Sequence, residues 1–214
     1  MAGTTSSRRT RPARADADAF IDGRRASRDR NLNAVVDALL DLFHEGNLRP
    51  GADEIAARSG VSRRSVFRYF DALDELDRIA IARQQARVAH LIEIAPGGEG
   101  TIAERIDRLV EQRMRLFAAI APVARVSRLR APFHPVVARE LEQGRAFLRR
   151  QAERQFEREL SSLGSGERAA TAAALDVLTS FESYELLVGA RRMSARQAGE
   201  AMRRGLRALL NSQK

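Results

Sequence analysis

The sequence has no cysteine and no tryptophan. Without thiols it forms neither a disulfide nor a cysteine-ligated metal centre. Prolines are few, and so are aromatics, so little interrupts a helix. Long apolar runs are missing as well. The longest, Leu116 to Ala124, contains a proline and falls far short of the ~20 residues that a membrane-spanning helix needs. His44, His90 and His134 are scattered, none has a second histidine at ligand spacing, and HExxH is absent. Gly97, Gly98 and Gly100 follow no strand-like segment, so a phosphate-binding loop has no setting. The acidic pair Asp53-Glu54 sits at a helix start, where the helix dipole accounts for it. These absences predict no catalytic residue, no metal ligand and no cofactor. The chain is expected not to be an enzyme.

Lysine is nearly absent too: Lys214 is the only one among 37 basic residues. The net charge is +9, but it is unevenly placed. Residues 28–80 carry eight arginines against ten acids, whereas residues 81–214 carry 23 basic groups against 15 acids. A nucleic-acid reading must therefore rest on local placement and not on the total. The surplus over residues 81–214 is a weak pointer to an anionic ligand, and solvated arginines on helix faces account for it as well. Residues 1–27 read as a flexible, Arg-rich N-terminal tail. Arg8-Arg9 lacks the apolar stretch of an export signal, so a cytoplasmic location is expected. Such a tail is either simply solvated or an arm for the phosphate backbone or minor groove.

From residue 28 onward the apolar periodicity is helical and no strand period occurs, which predicts an all-α fold. Leu32, Val35, Val36, Leu39, Leu40 and Phe43 form one stripe, closed by Gly46. Short helices are expected at about 52–59 and 62–70, and a longer one from 71–74 to before Pro96. Thr101 is placed to cap the next helix, with breaks expected at Pro122 and at Pro132/Pro135. Further helices are expected over 135–163, 167–190 and 194–211, with a turn at Gly164-Ser165-Gly166.

The stretch ADEIAARSGVSRRSVFRYF, residues 52–70, carries the chemistry. Ile55, Ala56, Val66 and Phe70 form the inner faces of two short helices. Gly60 suits the left-handed conformation of a sharp turn, Val61 fills the angle, and Ser62 is an N-cap. This is a helix-turn-helix pattern. Arg63, Arg64 and Ser65 lie in the first turn of its second helix, with Arg68 one turn on, and no acid occurs between Ile55 and Phe70. That turn is the part of a recognition helix that reaches base edges, and Arg pairs bidentately with guanine.

Residues from Arg28 to about Leu76, in the stretches NAVVDALLDLF, DEIAARSGVSRRSVFRYF and DALDEL, resemble the N-terminal domain of the TetR family of transcriptional repressors. The resemblance implies an all-α homodimer that binds a palindromic double-stranded DNA operator. It divides the chain into a DNA-binding domain at 28–73 and a helical effector-binding and dimerisation domain at 74–214. It assigns Arg63, Arg64 and Ser65 to base-facing positions, and Ser62 and Tyr69 to phosphate-facing ones. Three backbone anchors common in the family are replaced here, by Phe67, Leu73 and Pro50-Gly51.

In the C-terminal two-thirds, Met114, Phe117, Phe133, Phe147, Phe181 and Tyr184 are candidates to line a ligand pocket, with Arg113 and His134 as polar handles. Aromatic residues at helical spacing fit a plain core equally well. For a four-helix dimer interface the candidates are Ala174, Leu175 and Leu178 on one helix, and Ala201, Met202, Gly205 and Leu209 on the last. The same stripes also fit the subunit's own core. The function expected is a dimeric, sequence-specific transcriptional regulator, a repressor controlled by an unidentified small-molecule effector, with no membrane partner. The alternative is a DNA-binding architectural or interaction factor without a ligand, which a filled core would favour.

Overall fold

Apolar residues at three- and four-residue spacing place each helix. The computed structural model describes residues 13–211 apart from 48, 72 and 95–97. Among the described residues the fold is all-α, with no strand. The first helix, α1 (Ala13–His44), buries Leu32, Val35, Val36, Leu39, Leu40 and Phe43. It stops where Gly46 takes a positive φ of 91°. Residues 13–27 thus belong to α1, against the expectation of a tail; residues 1–12 lie outside the described residues. An Ala- and Arg-rich segment with acids near its start holds a helix by intrinsic preference and dipole, without an apolar stripe.

Three further helices follow: α2 (Ala52–Ser59), α3 (Arg63–Asp71) and α4 (Leu73–Ile92). Thr101 caps α5 (Ile102–Arg130), accepting from the Glu104 amide, and the Glu104 carboxylate accepts from the Thr101 amide in return. The helix runs straight through Pro122, which does not break it as expected. The missing N–H orphans the carbonyl of Ala118, but that residue is exposed and water can serve it. A 3-10 turn at Ala131–Phe133 and Pro135 at the first position of α6 (Pro135–Gln155) make the break expected there.

The helix expected over 135–163 is interrupted. Phe156 leaves helical geometry and is wholly buried, and α7 (Glu157–Ser161) follows. The helix expected over 167–190 is split as well, into α8 (Ser165–Leu178), α9 (Phe181–Tyr184) and a π-helical turn at Glu185–Ala190. The Thr179 hydroxyl donates to the Leu175 carbonyl at 2.8 Å, and Ser180 caps α9 by accepting from the Ser183 amide at 3.1 Å. The chain closes with α10 (Ala195–Asn211).

Two apolar cores result. One gathers α1, α2 and α3 with Leu76 and Val126; the other gathers the C-terminal helices around Ile106, Leu109, Phe117, Phe156 and Leu206. Both α4 and α5 serve the two cores: α4 gives Leu76 to the first and Val88 to the second. The far end of α4 is clamped. Gln112 Nε2 donates to the carbonyls of Leu91 and Ile92 at 2.8 and 3.2 Å, and Gln151 Nε2 donates to that of Ile92 at 2.8 Å. These bonds take up carbonyls that a helix end leaves unpaired. No helix among the described residues is long and apolar enough to cross a membrane.

Candidate nucleic-acid interface and internal cavity

The short helices α2 and α3 are locked at a fixed angle by local chemistry. At the start of α2 the Gly51 amide donates to the Glu54 carboxylate at 2.7 Å. At its end Gly60 adopts φ 69°, and its amide returns to the Ala56 carbonyl. Val61 is buried between the helices. Ser62 then caps α3: its Oγ accepts from the Ser65 amide at 3.3 Å and donates to Ser65 Oγ at 3.1 Å. The inner face of α3 carries Val66 and Tyr69, both buried.

Its outer face presents Ser62, Arg63, Arg64 and Arg68, all exposed, with Ser65 half-buried. The three arginines are not equivalent. Arg63 pairs with Asp53 at 3.2 Å and stacks over the Phe67 ring at 5.4 Å. Arg68 lies 5.5 Å from the Tyr69 ring centroid. Arg64 has no hydrogen bond, ion pair or ring contact among the described residues. Tyr69 corrects the expectation of a phosphate-facing hydroxyl. It is buried, and its hydroxyl donates to the Arg28 carbonyl at 3.3 Å, tying α3 to α1.

Between α1, α4, α5, α6 and the α8–α9 corner lies a cavity of about 1490 Å³, largely apolar and partly open to solvent. Three of the eight candidate pocket residues line it: Phe117, Phe147 and Phe181. Phe117 meets Phe181 edge-on at 5.6 Å. Tyr184 packs behind them, 5.8 Å from Phe117, and does not line the cavity. Met114 points instead towards α10, beside Gly199. Phe133 is 80% exposed on the 3-10 turn and does not line the cavity. His134 heads α6 outside the cavity wall, its Nδ1 3.9 Å from Asp77.

Arg113 is also no handle. It is wholly buried, and it donates to the Gln112 and Gln151 carbonyl oxygens and to the Leu148 carbonyl. Burial pushes its pKa down to about 10, against the opposing pull of Asp176. It orients the two glutamines that clamp α4. No protein-family model, curated protein or solved structure matches the chain.

The sequence reading missed the polar groups that do border the cavity. Arg128 lies 4.1 Å over the Phe181 ring and donates to Glu182 at 3.0 Å; Arg145 donates to the same carboxylate. Burial pushes the Glu182 pKa up, but these bonds outweigh it and hold it at about 2. Gln84 of α4 is a further omission. An arginine or glutamine on an amphipathic helix carries no sign of which helix will face it, so periodicity gave no warning.

The interface candidates need a similar correction. Leu175 and Met202 are buried in the subunit's own core. Leu178 packs against Gly205 of the same chain: a Cβ placed there would lie 3.1 Å from it. The small residue lets α8 approach α10 closely within the chain. Ala174, Ala201 and Leu209 are half-buried. The face left open on α8 is Ala170, Ala173 and Val177. Among the described residues, no group of three or more His, Asp or Glu side chains is arranged to hold a metal.

Proposed function

We propose that the chain is a TetR-type transcriptional regulator: a homodimer that binds a palindromic operator through a helix-turn-helix formed by α2 and α3, and a repressor released by a small molecule. The observation that carries this reading is Arg64. It stands exposed, with no partner among the described residues, in the first turn of a capped helix whose opposite face, Val66 and Tyr69, is buried. That is the position from which a bidentate guanidinium reaches guanine in the major groove. Arg63 stands beside it, and no carboxylate lies between Ile55 and Phe70 along the chain.

The cavity supports an effector and counts against the reading without a ligand. It exceeds the roughly 300–1,000 Å³ usual for small-molecule sites. Its wall includes α4, which directly follows α3 in the chain and packs against it. A ligand releases DNA only by binding a non-binding arrangement of α3 more tightly than the DNA-competent one. For the dimer, the open small-residue face of α8 replaces the stripe centred on Leu175 and Met202. Two recognition helices related by a two-fold axis then read two half-sites one DNA turn apart.

Selection of tight-binding sequences from random duplex DNA, followed by gel shift at two salt concentrations, tests the reading. Arg64→Ala is expected to lower affinity for the selected site by about 5- to 150-fold, the range for one lost bidentate base contact. Its affinity for random DNA should fall far less. If selection enriches no sequence, or Arg64→Ala weakens all duplexes equally, the base-reading role is wrong.

A further inference from the structure

Most polar groups in the cavity wall are already committed. Asp77 pairs with Arg130 at 2.9 Å, and Glu182 is bound by Arg128 and Arg145. The Ser127 hydroxyl donates to the Val123 carbonyl and the Thr179 hydroxyl to the Leu175 carbonyl. Gln84 is different. The residue is only 8% exposed and borders the cavity, yet both Nε2 and Oε1 are buried away from it and neither has a hydrogen-bond partner among the described residues. Its neighbours on the same face of α4, Ile81 and Val88, also line the cavity and are apolar. Buried amides are nearly always paired, because an unpaired donor and acceptor in an apolar wall is costly.

An amide offers one donor side and one acceptor side. A carboxylate would satisfy Nε2 but set its charge against Oε1. A hydrocarbon would satisfy neither. A carboxamide or lactam satisfies both at once, in a planar two-bond pair. The cavity lining also includes Phe117, Phe147 and Phe181, which suit a flat aromatic body. We infer that Gln84 is the recognition handle of this cavity, its unpaired amide turning about the side-chain torsions to meet a largely apolar, aromatic ligand that bears a neutral carboxamide or lactam. The inference rests on the cavity being the effector site of the regulator proposed above.

The test is calorimetric titration of the full chain, without DNA, by 2-naphthamide, 2-naphthoate and 2-ethylnaphthalene. The amide is expected to bind at least about tenfold more tightly than either of the others, the margin expected of one satisfied hydrogen-bonding pair. Gln84→Leu and Gln84→Met should abolish that preference. Gln84→Leu should also melt no lower than the parent chain, since it removes two unpaired groups from an apolar wall. Equal affinities, tightest binding of the naphthoate, an amide preference that survives both substitutions, or no binding of any probe overturns the inference. Because these titrations need no operator, the two readings fail separately. Gln84-dependent amide binding by a chain that selects no DNA refutes only the regulator. Selective DNA binding by a chain indifferent to the amide refutes only the handle.

Discussion

Replacing Phe117 by alanine is the sharpest probe of the C-terminal core. The ring is wholly buried. It sits edge-on to Phe181 at 5.6 Å, with an interplanar angle of 87°, and 5.8 Å from Tyr184. Truncating a core phenylalanine to alanine costs about 3–5 kcal/mol, from lost burial and the space left behind. Two aromatic contacts of this geometry are worth about 0.5–1.5 kcal/mol each and are part of that sum. One feature lowers the total. Phe117 already borders the cavity, so one side of the ring has fewer packing partners to lose. We therefore expect about 3–4 kcal/mol. For a chain of this length each kcal/mol moves the melting temperature by about 2–4 °C, which gives a fall of about 6–16 °C. Phe133→Ala is the matched control. That ring is 80% exposed, and its loss should stay within about 0.5 kcal/mol. Urea denaturation of both variants beside the parent measures the contrast. A loss below about 1.5 kcal/mol for Phe117→Ala, or a larger loss for Phe133→Ala, refutes the packing argument.

Further substitutions bear on the site, the turn, the cavity rim and the dimer. Asp53→Asn removes the carboxylate that holds Arg63 at 3.2 Å on an exposed surface. DNA affinity should rise with a steeper salt dependence in gel shifts, while stability changes by less than about 1 kcal/mol. A Cβ added at Gly60 meets no atom within 4 Å, but Gly60→Val must adopt φ 69°. It should cost about 1–3 kcal/mol in chemical denaturation, with Gly60→Asn recovering part of the loss. The Glu182 carboxyl is held at about 2, below its ordinary 4.5, so its stabilisation is present above 4.5 and lost as pH falls through 2. Glu182→Gln should flatten the stability profile over that acidic window, as read by urea melts at stepped pH. Val177 is 64% exposed on α8, so Val177→Arg should leave the fold intact and sediment as a monomer. A dimer that persists refutes the α8 interface.

The all-α class and the α2–α3 unit were legible because short-range chemistry fixes them. The sequence reading places α2 at its observed bounds, since Gly51 and Gly60 enclose it and Glu54 caps its start, while Ser62 caps α3. Thr101 was legible for the same reason. Where a buried side chain overrides local preference, the reading fails. Phe156 halts α6 because its ring goes inward beneath Arg105. Pro122 is tolerated because the carbonyl it orphans belongs to an exposed residue. Thr179-Ser180 did carry a stop-and-cap signal, masked by apolar residues on either side. The cavity was only half legible. Periodicity marks which residues face inward, so it finds Phe117 and Phe181. It does not say which inward faces stay apart, so Arg113 looked like a handle when it is a strut, and Gln84 went unremarked.

The clamp on the last carbonyls of α4 has a mechanical consequence. Twenty residues of helix make a rod roughly 30 Å long, held at the Ile92 end by Gln112 and Gln151. Pivoting such a rod by about 5° about its pinned tip sweeps the Leu73 end through about 2.6 Å, from the length given by its rise per residue. A wedge no thicker than a methyl group, pressed near the pivot, is thereby magnified at the end that adjoins α3.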